Sequence, residues 1–238
     1  MKIKLYGTGS FTANSLSACA MIDDAILLDC PPDLMKRLKA QRFHIQKNLR
    51  AIVISHFHAD HDFDIPFILY FARPLTIIAP AGARERYKTL CEFSNFTQPS
   101  KTLNECTIIE IGETEIANGI ELDGYHIKPY RVEHAGMDNT FAFTVTKDDK
   151  TAAFNGDSVL CDGVHSILEN ADIAFLDIAG TTPAHLPRIY HMDIPEFEKL
   201  ISQYPNCKII PTHMNDDTKL KLTELDYNPP SDNEEYII

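Results

Sequence analysis

Strand-like apolar runs come in series in both halves of this chain, each series punctuated by helical segments, and that order limits the fold more than any other feature. Residues 2–6 alternate and stop at the turn Gly7-Thr8-Gly9-Ser10. Residues 17–22 and 25–29 straddle Asp23-Asp24 and read as a hairpin. Pro31-Pro32-Asp33 opens a helix to about residue 41, with Leu34, Met35 and Leu38 on one face. A buried-type strand over 51–55, a helix over 65–71, a strand over 75–79 and a helix from 80–82 to about 93 follow. Further on, residues 107–111, 120–132, 141–146 and 151–155 are β-rich, with Gly, Asn and Asp at the turns. A short helix over 163–169, a strand over 172–177, a helix over 194–204 and a last strand over 208–211 complete the series. Such an order suits two packed sheets with helices outside, rather than one strictly alternating parallel sheet.

With 238 residues, 44% of them apolar, the chain can bury a sizeable core, and no linker-like segment divides it. One domain over residues 1–222 is expected, followed by an acidic tail at 223–238 that lacks any Lys or Arg. That tail is expected to be mobile or loosely docked, with a bound strand at Tyr236-Ile237-Ile238 as the sharper alternative. The longest apolar stretch, residues 65–72, contains Pro66 and falls far short of the roughly 20 residues of a bilayer span. The opening MKIKLYGTGS reads as strand and turn rather than a secretory leader. The six cysteines are scattered, which is the pattern of reduced thiols and of a cytoplasmic protein. Lys and Arg number 22 against 34 Asp and Glu, a net charge of −12. An acidic surface repels phosphate backbones, which argues against a long RNA- or DNA-gripping surface and leaves room for a phosphodiester held locally by metal ions.

The chemistry sits at strand ends. Ile52, Val53 and Ile54 lead into Ser55-His56-Phe57-His58-Ala59-Asp60-His61. Residues i and i+2 of an extended backbone face one side, so His56 and His58 can converge on one ion, while Asp60 and His61 turn toward a second. Imidazole and carboxylate donors suit zinc, with manganese or iron open. Three more candidates follow strands: His134 after Tyr130-Arg131-Val132-Glu133, Asp157 in Asn155-Gly156-Asp157-Ser158, and His213 after Ile209-Ile210-Pro211-Thr212. Each alone is a common turn residue. Together they resemble the metallo-β-lactamase fold superfamily from residue 7 to about 214. Gly7-Thr8-Gly9-Ser10 and Leu28-Asp29 further resemble its ribonuclease Z-like branch, which includes small phosphodiesterases.

The resemblance implies an α+β fold, a four-layer αββα sandwich with the site at one edge of the paired sheets. It implies two divalent metal ions, one held by His56, His58 and His134 and the other by Asp60, His61 and His213, with Asp157 bridging. It also implies a role for His191, before the 194–204 helix, in assisting the scissile phosphate or the leaving group. Two loops depart from the family pattern: Asp64 stands where a glycine is usual, and Cys30-Pro31-Pro32 replaces an acidic-glycine turn. His44, His126, His165 and His185 have no ligand context, although residues 181–187 are expected to border the site.

Such a site serves hydrolysis. Two cations bridged by Asp157 would bring the pKa of a shared water toward neutrality and supply a bridging hydroxide to attack a phosphodiester. His191 would hydrogen-bond the phosphoryl oxygen or protonate the departing alcohol, and Asp60 is a further candidate proton acceptor, though a ligand is a poor base. The expectation is a phosphodiesterase acting on a small or nucleotide-like ester. Alternatives are a lactonase or other carboxylic-ester hydrolase using Tyr190, and a non-catalytic metal-binding module. Members of the branch that process tRNA insert an RNA-gripping arm between the ligands matching His134 and Asp157. Only 22 residues separate those two here. With the net charge, this sets the expected partner as a small-molecule ester rather than extended nucleic acid, with no membrane. A homodimer is open, with residues 67–71 as core or interface.

Overall fold

The computed structural model describes residues 1–181 and 190–238. His185, and with it most of the 181–187 segment expected to border the site, lies outside the described residues. The first half runs β1 (Lys2–Gly7), β2 (Cys19–Ile22), β3 (Ile26–Leu28), α1 (Leu34–Ala40), α2 (Ile45–Asn48), β4 (Ala51–Val53), α3 (Ala59–Asp62), α4 (Ile65–Phe71), β5 (Thr76–Pro80), α5 (Ala83–Phe93), α6 (Thr97–Glu105) and β6 (Thr107–Ile111). The second runs α7 (Glu113–Asn118), β7 (Ile120–Leu122), β8 (Tyr125–Arg131), β9 (Phe141–Lys147), β10 (Lys150–Phe154), α8 (Asp162–Leu168), β11 (Ile173–Gly180), β12 (Met192–Asp193), α9 (Ile194–Gln203), β13 (Lys208–Thr212), α10 (Asp216–Glu224) and β14 (Glu235–Ile237).

One sheet has the order β14-β1-β2-β3-β4-β5-β6, and the other β12-β11-β10-β9-β8-β7 with β13 also on β11. Each sheet joins an antiparallel meander to parallel strands: β3, β4, β5 and β6 in the first, β10, β11 and β13 in the second. The two-residue period of the strands sorts their side chains into layers. Ile26, Leu28, Ala51 and Val53 face inward to meet Ile127, Phe143, Phe154 and Phe175 of the other sheet. Leu27 and Ile52 point outward, under Leu34, Leu38, Ile65, Ile68 and Tyr87 of the first helical layer. On the other outer face Ala174 and Leu176 lie under Val164, Ile167, Phe197 and Leu200. The αββα sandwich is the architecture the sequence led one to expect.

The expected helix over 65–71 matches α4, and Leu34, Met35 and Leu38 are the buried face of α1. Five helices carry weaker signals and escape the sequence reading: α2, α3, α6, α7 and α10. At the end of the chain the structure shows the bound-strand alternative. Instead of remaining loose, residues 235–237 pair antiparallel with β1, Lys2 opposite Ile237. Asp232 anchors the approach, accepting from Thr8 N (3.1 Å), Thr8 Oγ1 (3.0 Å) and Leu16 N (3.1 Å) and pairing with Arg37 (3.0 Å). All six cysteines are free. Among the described residues no helix is long and apolar enough to cross a membrane.

Candidate metal centre

Parallel strands that end together leave their following loops at one edge, and these loops carry the polar residues of the site. Asp29 follows β3 in a left-handed conformation (φ 59°), which Asp tolerates better than most residues. It organises the loop after β4. Its Oδ1 accepts from Ser55 N (2.8 Å), and its Oδ2 accepts from Ser55 Oγ (2.8 Å) and His61 Nδ1 (2.7 Å). Ser55 Oγ, its proton committed to Asp29, accepts from His56 Nδ1 (2.9 Å). The buried Asp62 binds the Arg86 guanidinium, whose Nη2 also donates to the carbonyl of Phe57 (2.9 Å), closing the His-rich loop from the other side.

The distal residues arrive by equally local means. His134 donates from Nδ1 to the carbonyl of Tyr190 (2.6 Å). Asp157 follows Gly156, where φ is +60° and an added Cβ would lie 2.5 Å from Ser55 Cβ, so only glycine lets the β10 loop come this close. His213 leaves β13 in a left-handed turn (φ 52°). In His56, His61 and His134 the engaged Nδ1 fixes the tautomer that leaves Nε2 as a lone-pair donor, the usual device for orienting a ligating imidazole.

Seven side chains named from the sequence converge. One group comprises His56, His58, His134 and Asp157; a second comprises Asp60, His61, Asp157 and His213. In each, the potential ligand atoms lie within 4.8 Å of one another. Asp157 Oδ2 is the shared point, 3.3 Å from His61 Nε2 and from His213 Nε2, 3.8 Å from His134 Nε2 and 3.9 Å from His56 Nε2. Buried polar atoms normally have partners. Here His56 Nε2, His61 Nε2 and Asp157 Oδ1 have none, so two imidazole lone pairs and a carboxylate oxygen are left as a cation would use them. The residues fit a pair of divalent ions.

Electrostatics point the same way. Burial disfavours the charged form of His61, but Asp157 and Asp29 outweigh it and hold its pKa well above the usual histidine value. His213 is pushed up to about 10 against its burial, chiefly by Asp157 and Asp177. His56, which is buried and faces His61, is held well below the usual value. Burial would also raise the Asp60 pKa, but His213 and His61 bring it below its ordinary value, so this carboxylate is ionised at neutral pH. Negative charge in the centre therefore draws positive charge to it, protons in the absence of metal.

A cavity of about 340 Å³ opens over these groups, lined by His58, Asp60, His134, Asp157, His191 and His213, with Phe11 and Tyr190 at its flanks. Phe11 comes from the β1–β2 connection, and Phe63 is not among the lining residues. Asp64 turns its carboxylate away, accepting from Met35 N (2.7 Å) at the start of α1. His191 donates from Nδ1 to Asp177 Oδ2 (2.7 Å), and its ring stacks on His213 at 5.1 Å. The helix cap next to it is Asp193, which accepts from Glu196 N (2.9 Å), so His191 is left to the site. Asp177 was not singled out from the sequence. It is fully buried on β11, with Oδ1 facing His213 Nδ1 across 3.4 Å. Its signal is a carboxylate inside the apolar run Ile173-Ala174-Phe175-Leu176-Asp177-Ile178, a position that burial forbids without a partner.

Residues 24–214 match a Beta-lactamase superfamily domain. The chain belongs to this superfamily. The solved structures it resembles share the metallo-β-lactamase fold, and its sequence relatives include ribonucleases Z and BN. It is 27% identical over 178 residues to Ribonuclease Z of Methanosarcina acetivorans, covering 69% of this chain and 54% of that protein. It is 32% identical over 145 residues to Ribonuclease BN of Escherichia coli, covering 58% and 44%. The chain thus spans about half the length of these curated relatives. Among solved structures, the metallo-β-lactamase fold protein YhfI of Bacillus subtilis superposes with a TM-score of 0.77 at 16% identity, over 99% of both chains. The short form of human tRNase Z does so with 0.73 at 17% identity, over 100% and 99%. A diphosphatase of the PhnP family gives 0.74 at 16% identity, over 100% and 97%.

These relatives correct the expected partner. A small-molecule ester, with extended nucleic acid unlikely, was the reading of the net charge and the short His134–Asp157 spacing. The sequence relatives are ribonucleases, enzymes of nucleic acid. The physical reason for the error is that net charge averages over the whole surface, whereas binding depends on the local field.

Proposed function

We propose that the protein is a dinuclear metal-dependent phosphodiesterase, with nucleic-acid phosphodiester bonds within its reach. The observation that carries this reading is the pairing of two ligand groups through Asp157 with a carboxylate-backed histidine, His191, on the wall of the same cavity. His56, His58 and His134 would hold one ion and Asp60, His61 and His213 the other, with Asp157 between them. Zinc suits these nitrogen and oxygen donors, and manganese or iron are the alternatives. When bound, such a pair supplies Lewis acidity toward phosphoryl oxygens and lowers the pKa of water toward neutrality.

The chain's own groups do the rest. Asp29, through Ser55 and His61, and the Tyr190 carbonyl, through His134, keep three imidazoles in the ligating tautomer. Asp177 holds His191 Nδ1 and stabilises its imidazolium, which raises the His191 pKa against its burial. His191 Nε2–H is then available to donate to the departing oxygen as the P–O bond breaks. Asp60, ionised and facing His61 and His213 at 3.5 and 3.4 Å, suits a ligand better than a proton acceptor.

Turnover of bis-p-nitrophenyl phosphate by the metal-loaded protein tests the reading. His191→Ala is expected to lower kcat by about 10²–10⁴-fold, the size of a general acid–base contribution, with metal content unchanged. A carboxylic-ester hydrolase would instead depend on Tyr190, which also lines the cavity. Loss of lactone hydrolysis in Tyr190→Phe, with phosphodiester turnover absent throughout, would replace the proposal.

A further inference from the structure

Charge is unevenly distributed along this acidic chain. Residues 34–59, 65–84 and 93–104 carry nine of its 22 Lys and Arg and none of its 34 Asp and Glu. These stretches supply α1, α2, α4 and most of α6, which pack together over the outer face of the first sheet. Beside the C-terminal end of α4 is a cavity of about 670 Å³, lined by Lys39, Lys47, Arg50 and Arg73 with Phe43 and Phe71. Among the described residues none of these four cations has a carboxylate within salt-bridge distance, and the Lys39 ammonium sits 4.7 Å over the Phe71 ring.

Aromatic rings cover the ground between this basic cavity and the metal centre. Phe67, Tyr70, Phe71 and Phe96 are 36–48% exposed. They touch in series: Phe67 and Tyr70 both meet Phe96, at 6.4 and 5.3 Å, and Tyr70 meets Phe71 at 4.9 Å. From Ala59 to Phe71 the backbone stays right-handed helical, through Phe63 and Asp64. Asp60 at the centre and Phe71 at the basic cavity thus lie on the successive helices α3 and α4. Large exposed rings are normally withdrawn from water, and a contiguous set of them marks a binding surface.

From this arrangement we infer that the α4–α6 face, continued by the Lys39–Arg73 cavity, is a track for single-stranded nucleic acid leading away from the catalytic centre. The inference rests on the phosphodiesterase reading for its purpose and deepens it by naming the substrate class. Rings that stack unpaired bases, next to cations that follow the phosphates, are the pattern by which proteins hold single strands without reading sequence. A duplex hides its base faces and would leave the rings unused. Charge complementarity selects a polyanion over a second copy of this chain, whose net charge is −12.

The test is fluorescence anisotropy of a labelled, hydrolysis-resistant phosphorothioate oligouridylate with the metal-loaded protein, alongside bis-p-nitrophenyl phosphate turnover. Phe67→Ala and Tyr70→Ala are each expected to weaken binding by roughly 5- to 100-fold, the usual loss for one stacking ring, and Tyr70→Phe to restore it. The triple variant Lys47→Glu, Arg50→Glu, Arg73→Glu should reduce the slope of log affinity against log salt by about 2, three phosphate contacts of a single strand. All should keep wild-type turnover of the small ester, which also shows that they fold. Wild-type affinity in every variant would overturn the inference. So would a change from dimer to monomer on Phe67→Ala, by sedimentation velocity, with RNA binding intact. RNA binding that responds as described in a protein inactive on every phosphodiester would uphold the track and remove the phosphodiesterase reading instead.

Discussion

Asp29 makes no contact with the candidate ions' space, yet His61, Ser55 and, through Ser55, His56 depend on its two oxygens. Supporting carboxylates of this kind typically contribute 10–100-fold to metal affinity. Asp29→Ala is therefore expected to weaken zinc binding by about that factor, measured by competition with a chromogenic chelator, with the fold retained. Asp157→Ala should go further, abolishing hydrolysis and lowering metal content, because its Oδ2 is common to both groups. The ligand candidates were legible in the sequence because three histidines and an aspartate within six residues have no packing purpose. Asp177 was not legible by the same route. It stands alone in a strand, and its partners His191 and His213 are 14 and 36 residues further on.

At the scale of elements, the strands that carry the site were readable because each is an apolar run closed by a turn residue. The helices α6, α7 and α10 are short and polar, with at most three buried residues apiece, so they leave little periodicity to detect. β14 has three residues and none fully buried, and it is held by an edge that only the folded β1 provides. Asp232 fixes that edge, and Asp232→Ala leaves the Thr8 and Leu16 amides unpaired. The expected cost is about 1–3 kcal/mol, a fall in Tm of several degrees by calorimetry. Asp23 in the β2–β3 turn accepts from Lys2 N of the neighbouring β1 (2.7 Å) and reaches the other sheet through Tyr125 OH (2.9 Å) and Lys147 (3.4 Å). Burial raises its pKa, but these partners outweigh it and leave the value lowered. A depressed carboxyl contributes stability above the ordinary Asp value near 3.9 and loses it as pH falls through the folded-state value. Tm measured against pH should thus fall more steeply in acid for the wild type than for Asp23→Asn.

For the whole molecule, the order of strand series and helices was enough to indicate two sheets between helical layers, and the three apolar clusters are that prediction realised. Net charge was the poor guide. A total of −12 coexists with helical stretches that carry none of the chain's Asp or Glu, because charge is sorted locally and not by sequence average. The central claim concerns the space around Asp157, and anomalous diffraction at the zinc edge from crystals grown with zinc tests it most directly. Two peaks about 3.5–4 Å apart are expected, the separation of two-metal hydrolases, with Asp157 Oδ2 between them and three histidines on one peak. No peak within reach of His56, His61 and His213, or one peak closed by four ligands, would contradict it.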